Sequence, residues 1–234
     1  MKNLFLRIAA VILFIAIFMN SCQKDEISKN ETWKDYFIDS VGLKHNVIVK
    51  EALNKIEKNK DVITLEDIYY ISCDIVFELY EIDSSEIPSY SEILVYFPVL
   101  TDTTMSLSEK YQYFKPDCSL KEINYVIDIE NKIKETFNSS SLENEPTQIE
   151  SSIIVDTDLT NESKGDLLII SDVATNSYEL WEKYYAESKA PWWWVVACDA
   201  GGALVGSGFG PGGALVIGAV SSLTAALTDI PEVK

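Results

Sequence analysis

The sequence predicts a mainly α fold, a helical domain with a glycine-rich C-terminal helical hairpin. Three observations predict it. Apolar residues between positions 32 and 190 recur at three- and four-residue steps, the period of a helix that buries one face. A capping signature, Ser119-Leu120-Lys121-Glu122, stands directly ahead of one such run. Residues 192–227 carry a single charge, Asp199, and hold 8 of the chain's 10 glycines, so glycine there is a local feature.

The chain divides into five segments. Residues 1–21 read as an export signal, to be left out of the fold. Lys2 and Arg7 precede Ile8–Met19, an uncharged apolar run of 12 residues. A membrane-spanning helix needs about 20. Residues 22–31 are polar and charged and suit a flexible tether. Residues 32–190 form the mostly helical acidic domain, 191–228 the apolar hairpin and 229–234 a short tail.

Met19-Asn20-Ser21-Cys22 resembles a lipobox, the site at which lipoprotein signal peptidase cuts before a lipid-bearing cysteine. Met19 stands where leucine is commoner, and Asn20 is larger and more polar than the usual residue. Serine before the cysteine, after a short apolar run, resembles lipoproteins of the Bacteroidota. Gln23-Lys24-Asp25-Glu26 resembles the short charged export signal of their surface-exposed lipoproteins. The resemblance implies lipid attachment at Cys22 and a place in the cell envelope, on the outer face of the outer membrane. Each buried methylene contributes about 0.8 kcal/mol, and one acyl chain alone holds only marginally. A lipoprotein cysteine carries two or three.

Within the domain, Leu43–Lys58 reads as a helix with Val47, Val49, Leu53 and Ile56 on its apolar side. Thr64 is placed as an N-cap ahead of Leu65-Glu66-Asp67. The stretch Ile68–Tyr80 is rich in Ile, Val, Tyr and Phe, so helix and strand both stay open there. Pro88 and the Ser/Thr clusters around it mark loops. From Ser119, a stripe of Ile123, Val126, Ile127, Ile129 and Ile133 runs to about Phe137. Asn138–Pro146 reads as a polar loop, and Ile149, Ile153 and Ile154 suggest a short helix. Asp166–Tyr185 is the clearest long helix, with Leu167, Ile170, Val173, Ala174, Tyr178, Trp181 and Tyr185 near 3.6-residue spacing.

In the last segment, small residues recur at every fourth position: Gly202, Gly206, Gly210, Ala214, Gly218, Ser222 and Ala226. This extends the small-xxx-small pattern by which helix backbones approach closely in membranes. Pro211 should break the helix, so two arms are expected, near Trp192–Phe209 and Gly213–Thr228. Glycine costs about 1 kcal/mol per helical site relative to alanine, so these helices need a tight packing partner. Trp192, Trp193 and Trp194 suit either an interfacial aromatic belt or a seam against the preceding helix. Asp199 opposes deep insertion, at about 2.5–3.5 kcal/mol in mid-membrane.

The segment resembles glycine zippers of pore-forming peptides and class II bacteriocins. Ser177-Tyr178 through Trp181 into Trp192–Gly218 also resembles the C-terminal part of a family of Bacteroidota proteins without assigned activity. There a helix ending in Ser-x-x-x-Trp precedes Trp-Trp and a small-residue hairpin. The likeness covers about a quarter of the chain and implies a helical fold with a C-terminal zipper.

The formal charge is −18, and −20 once Lys2 and Arg7 are removed with the signal. Such a body repels phosphate backbones, which argues against nucleic acid. Arg7 is the only arginine, so the mature chain lacks the guanidinium fork that grips phosphate bidentately. His45 is the only histidine, which leaves no multi-histidine metal site and makes any Ser–His or Cys–His pair depend on one residue among lysines. Gly208, Gly210 and Gly213 spell G-x-G-x-x-G, but proline interrupts it and no βαβ unit surrounds it. Asp156, Asp158 and Asn161 hint at a calcium loop without fitting the spacing of one. For Cys73, Cys118 and Cys198, a Cys73–Cys118 disulfide and three free thiols both stay open.

No catalytic residue, metal or cofactor is assigned. Two function classes lead, ahead of an acidic hydrolase, for which abundant paired carboxylates leave room without pointing to it. One is a non-enzymatic lipoprotein whose zipper engages a membrane or a partner, itself included, in its sharpest form a bacteriocin-like or pore-forming effector. The other is a structural or binding lipoprotein with the hairpin buried as a packing element.

Overall fold

The structure, a computed structural model, describes residues 41–59, 64–139, 146–184 and 192–227. All of them belong to one compact unit, Ile38–Lys234. They form nine α-helices and one 3-10 turn, with no strand among the described residues. The mainly α fold is thereby shown.

Helix α1 (Val41–Asn59) turns Val41, His45, Ile48, Val49, Ala52 and Ile56 inward. That stripe differs from the expected one: Val47 points to solvent and His45 takes a core position. Helix α2 (Leu65–Leu79) settles the open choice for Ile68–Tyr80 in favour of a helix. Its reason is local. Thr64 and Asp67 close a capping box, and Ile68, Ser72, Ile75 and Val76 then share one buried face. A 3-10 turn (Ser84–Glu86) leads past Pro88 to α3 (Tyr90–Leu100) and α4 (Leu107–Phe114). Each of these starts on its own capping box, Ser89 with Glu92 and Ser106 with Glu109.

Helix α5 (Leu120–Ser139) starts on the expected box: the Glu122 amide donates to Ser119 Oγ, and Ser119 N–H donates back to Glu122 Oε2. Its buried stripe is Val126, Ile129 and Ile133, while Ile127 lies outside it. Helix α6 (Pro146–Val155) buries Ile153 and leaves Ile154 exposed. Helix α7 (Asn161–Tyr184) begins five residues before the expected Asp166, because Thr160 Oγ1 accepts from the Ser163 amide and caps it there.

Helices α8 (Trp192–Ser207) and α9 (Pro211–Leu227) make the hairpin. Pro211 does not lie in the turn but opens α9. The first helical position has no intrahelical use for an N–H, so proline is at home there. Gly210 supplies the turn, with φ at 122°, a conformation that L side chains rarely adopt. The two arms pack chiefly on each other. Helix α8 also lies against α7, α3, α4 and α5, and α9 against α1, α2 and the 3-10 turn. Every residue of α9 from Gly212 to Ala225 is buried. The hairpin is thus the centre of the unit, with α1–α5 and α7 packed around it. A helix apolar on all sides needs such a surround or a membrane.

Candidate functional site

Three helices bring polar groups together in this core. On α1, His45 falls on the stripe that begins at Val41. On α7, Ser177 and Trp181 stand one turn apart on the face toward α8. On α8, Asp199 is the only charge of the hairpin. The Trp181 indole N–H donates to Asp199 Oδ2 at 2.8 Å. Asp199 Oδ1 lies 3.5 Å from His45 Nε2. On the other side of the ring, His45 Nδ1 is 3.4 Å from both Asn46 Oδ1 and Ser177 Oγ. Both ionisable side chains are fully shielded from solvent.

The neighbouring contacts explain why the ring fits. A Cβ on Gly218 would come 3.1 Å from His45 Cδ2, so this glycine of α9 makes room for the imidazole. A Cβ on Gly42 would come 2.4 Å from the Asp172 carbonyl oxygen, so α1 crosses α7 in close backbone contact. Gly42 N–H donates to Asp172 Oδ2 at 2.7 Å, and the Asn46 amide donates to the Asn176 carbonyl at 2.8 Å. These contacts fix α1 on α7 and hold His45 over Asp199.

Burial pulls the His45 pKa down, but the facing Asp199 carboxylate outweighs it and lifts the value above the ordinary histidine range. Burial lifts the Asp199 pKa above the ordinary aspartate range, against the pull of His45, Trp181 and Ser177. Burial also pushes the adjacent Cys198 thiol up to about 12. The pair therefore retains protons more firmly than the same groups would in water.

Ser177, His45 and Asp199 are the residue types of a nucleophile–base–acid set. The separations of 3.4 and 3.5 Å exceed the reach of about 2.6–3.2 Å that proton transfer needs. All three side chains are buried. The crevice between α5 and α7, lined by Ile129, Lys132, Ile133, Ala174 and Tyr178, includes none of them.

The small residues of the hairpin take four different places. Gly206 meets Gly213: a Cβ on either would lie 2.1 or 2.4 Å from the other's carbonyl oxygen. Gly202 faces Ser221 and Ile217 of α9, and Gly218 faces Ala203 of α8 as well as His45. Ala214 and Ser222 are buried in α9, and Ala226 is half-buried near its end. Gly210 belongs to the turn, where its nearest neighbour is Glu86. Gly213 and Ser221, outside the four-residue register, join the interface, because the turn at 208–210 shifts the phase of the second arm. Trp194 is buried, and Trp193 lies under the Lys134 ammonium at 5.5 Å. The side chain of Trp192 lies outside the described residues, as does Cys22.

Elsewhere, Lys121 Nζ sits 2.8 Å from both Asp156 and Asp158, so an ammonium occupies the place suggested for a cation. No cluster able to hold a metal ion occurs among the described residues. Cys73, Cys118 and Cys198 are free thiols. Lys110, fully buried, donates to the Leu100 carbonyl at 2.6 Å. That oxygen closes α3, where the helix dipole favours a cation.

The sequence carried signals for two of these features. His45 shares the spacing of Val41, Ile48, Val49 and Ala52, and both Ser89…Glu92 and Ser106…Glu109 repeat the Ser119…Glu122 pattern. Nothing local in the sequence marks the partnership of His45 with Asp199, 154 positions apart. Compared with family models, curated proteins and solved structures, the chain matches none of them.

Proposed function

We propose that this chain is a non-enzymatic lipoprotein of the cell envelope, held by lipid on Cys22 at the outer-membrane surface, with the α8–α9 hairpin as the packing core of its acidic helical domain. The observation that carries the second half is the burial of the hairpin. Its one charge is paired inside the domain, and α1–α5 and α7 cover the faces of α8 and α9. Lipid at Cys22 makes membrane attachment independent of the C-terminus, so the glycines are free to serve packing. The deep enclosure of Ser177, His45 and Asp199 supports a role without catalysis.

Mass spectrometry of the mature protein tests the anchor: the expected N-terminus is an acylated Cys22. An unmodified cysteine or a retained Met1 overturns it. For the core, the expected behaviour of the domain without lipid is a soluble monomer in the absence of detergent. Aggregation that detergent relieves counts against it.

A second reading keeps the hairpin as a stored membrane-active element, bacteriocin-like or pore-forming. The observation favouring it is that α8 and α9 touch through backbone at Gly206 and Gly213, so the pair would remain a pair outside its surround. Against it, no helix among the described residues is long and apolar enough to cross a membrane. The arms of 16 and 17 residues reach roughly 24 and 26 Å, short of a hydrocarbon core of about 30 Å. Dye-loaded phosphatidylethanolamine–phosphatidylglycerol vesicles separate the two. Leakage by wild type that Gly206→Leu abolishes supports insertion; leakage no greater than buffer ends it.

A further inference from the structure

We propose that His45 and Asp199 form a proton-held latch on α8, which ties the central hairpin to α1 and α7 while His45 carries its proton and loosens it when that proton leaves. Three geometric facts carry this. The pair joins two elements that are distant in sequence, and it lies at full burial, where water cannot replace a lost partner. Among the described residues, His45 Nε2 and Asp199 Oδ1 make no close hydrogen bond and face each other at 3.5 Å. A further tie of α8 at this level, the Trp181 indole to Asp199 Oδ2, ends on the same carboxylate.

The groups facing the pair leave it in charge of its own proton. From α7 come Ser177 and Trp181, both neutral, and from α9 the backbone of Gly218. From α1 comes Asn46, also neutral; its neighbour Lys44 lies over the Tyr80 ring at 5.7 Å. Within α8, the Cys198 thiol keeps its proton well above neutrality, and the Lys110 ammonium of α4 acts on that thiol. Asp172 of α7 is engaged with the Gly42 amide and Asn176.

The sign follows from linkage. His45 holds its proton more tightly in the folded chain than in the unfolded one. Its contribution is complete below the ordinary histidine value of about 6.5 and is lost as pH rises through the higher folded value. Deprotonation then leaves Asp199 as a buried carboxylate beside a neutral ring, the state that a broken buried pair makes costly. The shift of Asp199 has the same sign, so acid does not open the latch at this point.

The latch assumes that the hairpin is the core of the domain, and hydrogen exchange on the full chain distinguishes failure of either. Protection is measured from pH 6 to pH 10 for peptides of α8 and of α5, each relative to an unstructured peptide at the same pH. The expected result is high protection of α8 at pH 6 that falls above His45's pKa, by up to about tenfold per pH unit for one proton. Protection of α5 stays level over the first part of that fall. H45Q should give weaker α8 protection than wild type at the same pH. D199N, which keeps an acceptor for Trp181 and removes the charge, should give strong protection with no slope. A wild-type α8 profile parallel to that of α5, or a D199N profile as steep as wild type, overturns the latch. Weak α8 protection in wild type at every pH overturns the core itself. If H45Q does not fold, D199N decides alone.

Discussion

The hairpin α8–α9 and the helices around it meet their neighbours by opposite means. In α1, α5 and α7, bulky side chains on one stripe do the packing, and polar residues cover the other side. Their starts are fixed by capping residues such as Thr160 and Ser119. The hairpin has no polar side. At Gly206 and Gly213 it packs by removing side chains, so that one backbone touches another. A side-chain contact can adjust by rotamer change, whereas a backbone contact has nothing to move. Tolerance to substitution should therefore differ between the two regions more than burial alone implies.

Gly206→Leu should show the largest effect. Its Cβ would fall 2.1 Å from the Gly213 carbonyl oxygen, and only separation of the arms relieves that. Denaturant unfolding should register a loss of about 3 kcal/mol or more, the upper end of overpacking. Gly208→Ala, whose Cβ meets only the Val205 oxygen at 3.4 Å, is the matched control and should cost far less. Equal losses would erase the distinction between a backbone contact and an ordinary turn glycine.

Trp181→Phe comes next, because it keeps most of the ring and removes the indole N–H that Asp199 accepts. The expected loss is about 1–3 kcal/mol, the cost of leaving a buried acceptor without its donor. In an Asp199→Asn background the loss should shrink, and a double-mutant cycle reads the coupling. Additive losses would mean that Trp181 acts through its bulk alone.

Ser119→Ala should cost about 1 kcal/mol, the usual worth of an N-cap. It also tests the pH behaviour of the outer helices. Burial pushes the Glu122 pKa up, but hydrogen bonds from Ser119 outweigh it and hold the value below the usual glutamate range. Stability from Glu122 is thus present above its unfolded pKa and lost as pH falls through the folded one. Chemical unfolding at pH 3–6 should show a shallower acid loss in Ser119→Ala than in wild type. The surround weakens in acid, where the latch on the hairpin weakens in alkali. The smallest effect belongs to Val95→Ser, at 69% exposure on α3. It should stay within about 0.5 kcal/mol in thermal unfolding, and a larger loss would mark that face as covered.

The helical class and the starts of α2 and α5 were legible because their causes are local: a cap and a stripe lie within a dozen residues. Two ends were missed for the same reason. Thr160 caps α7 earlier than its apolar pattern suggests, and Pro211 opens α9 where a proline inside a glycine run reads as a break. The latch was not legible. A single histidine among lysines looks solvated, and only the crossing of α1 over α7 at Gly42 turns it toward α8. The even four-residue register named most of the small residues but not Gly213 or Ser221, since a turn resets the phase between two arms.

The contact of Gly206 with Gly213 also bears on how this chain would diverge over time. Residues on the outer helices can drift, each change compensated by a rotamer or a neighbour. Two backbones in contact admit no intermediate, so any side chain at 206 or 213 must be crossed in a single damaging step. A distant relative with little else in common should still carry two glycines seven positions apart with a turn between them. A search for its kin is better begun from residues 202–218 than from the whole chain.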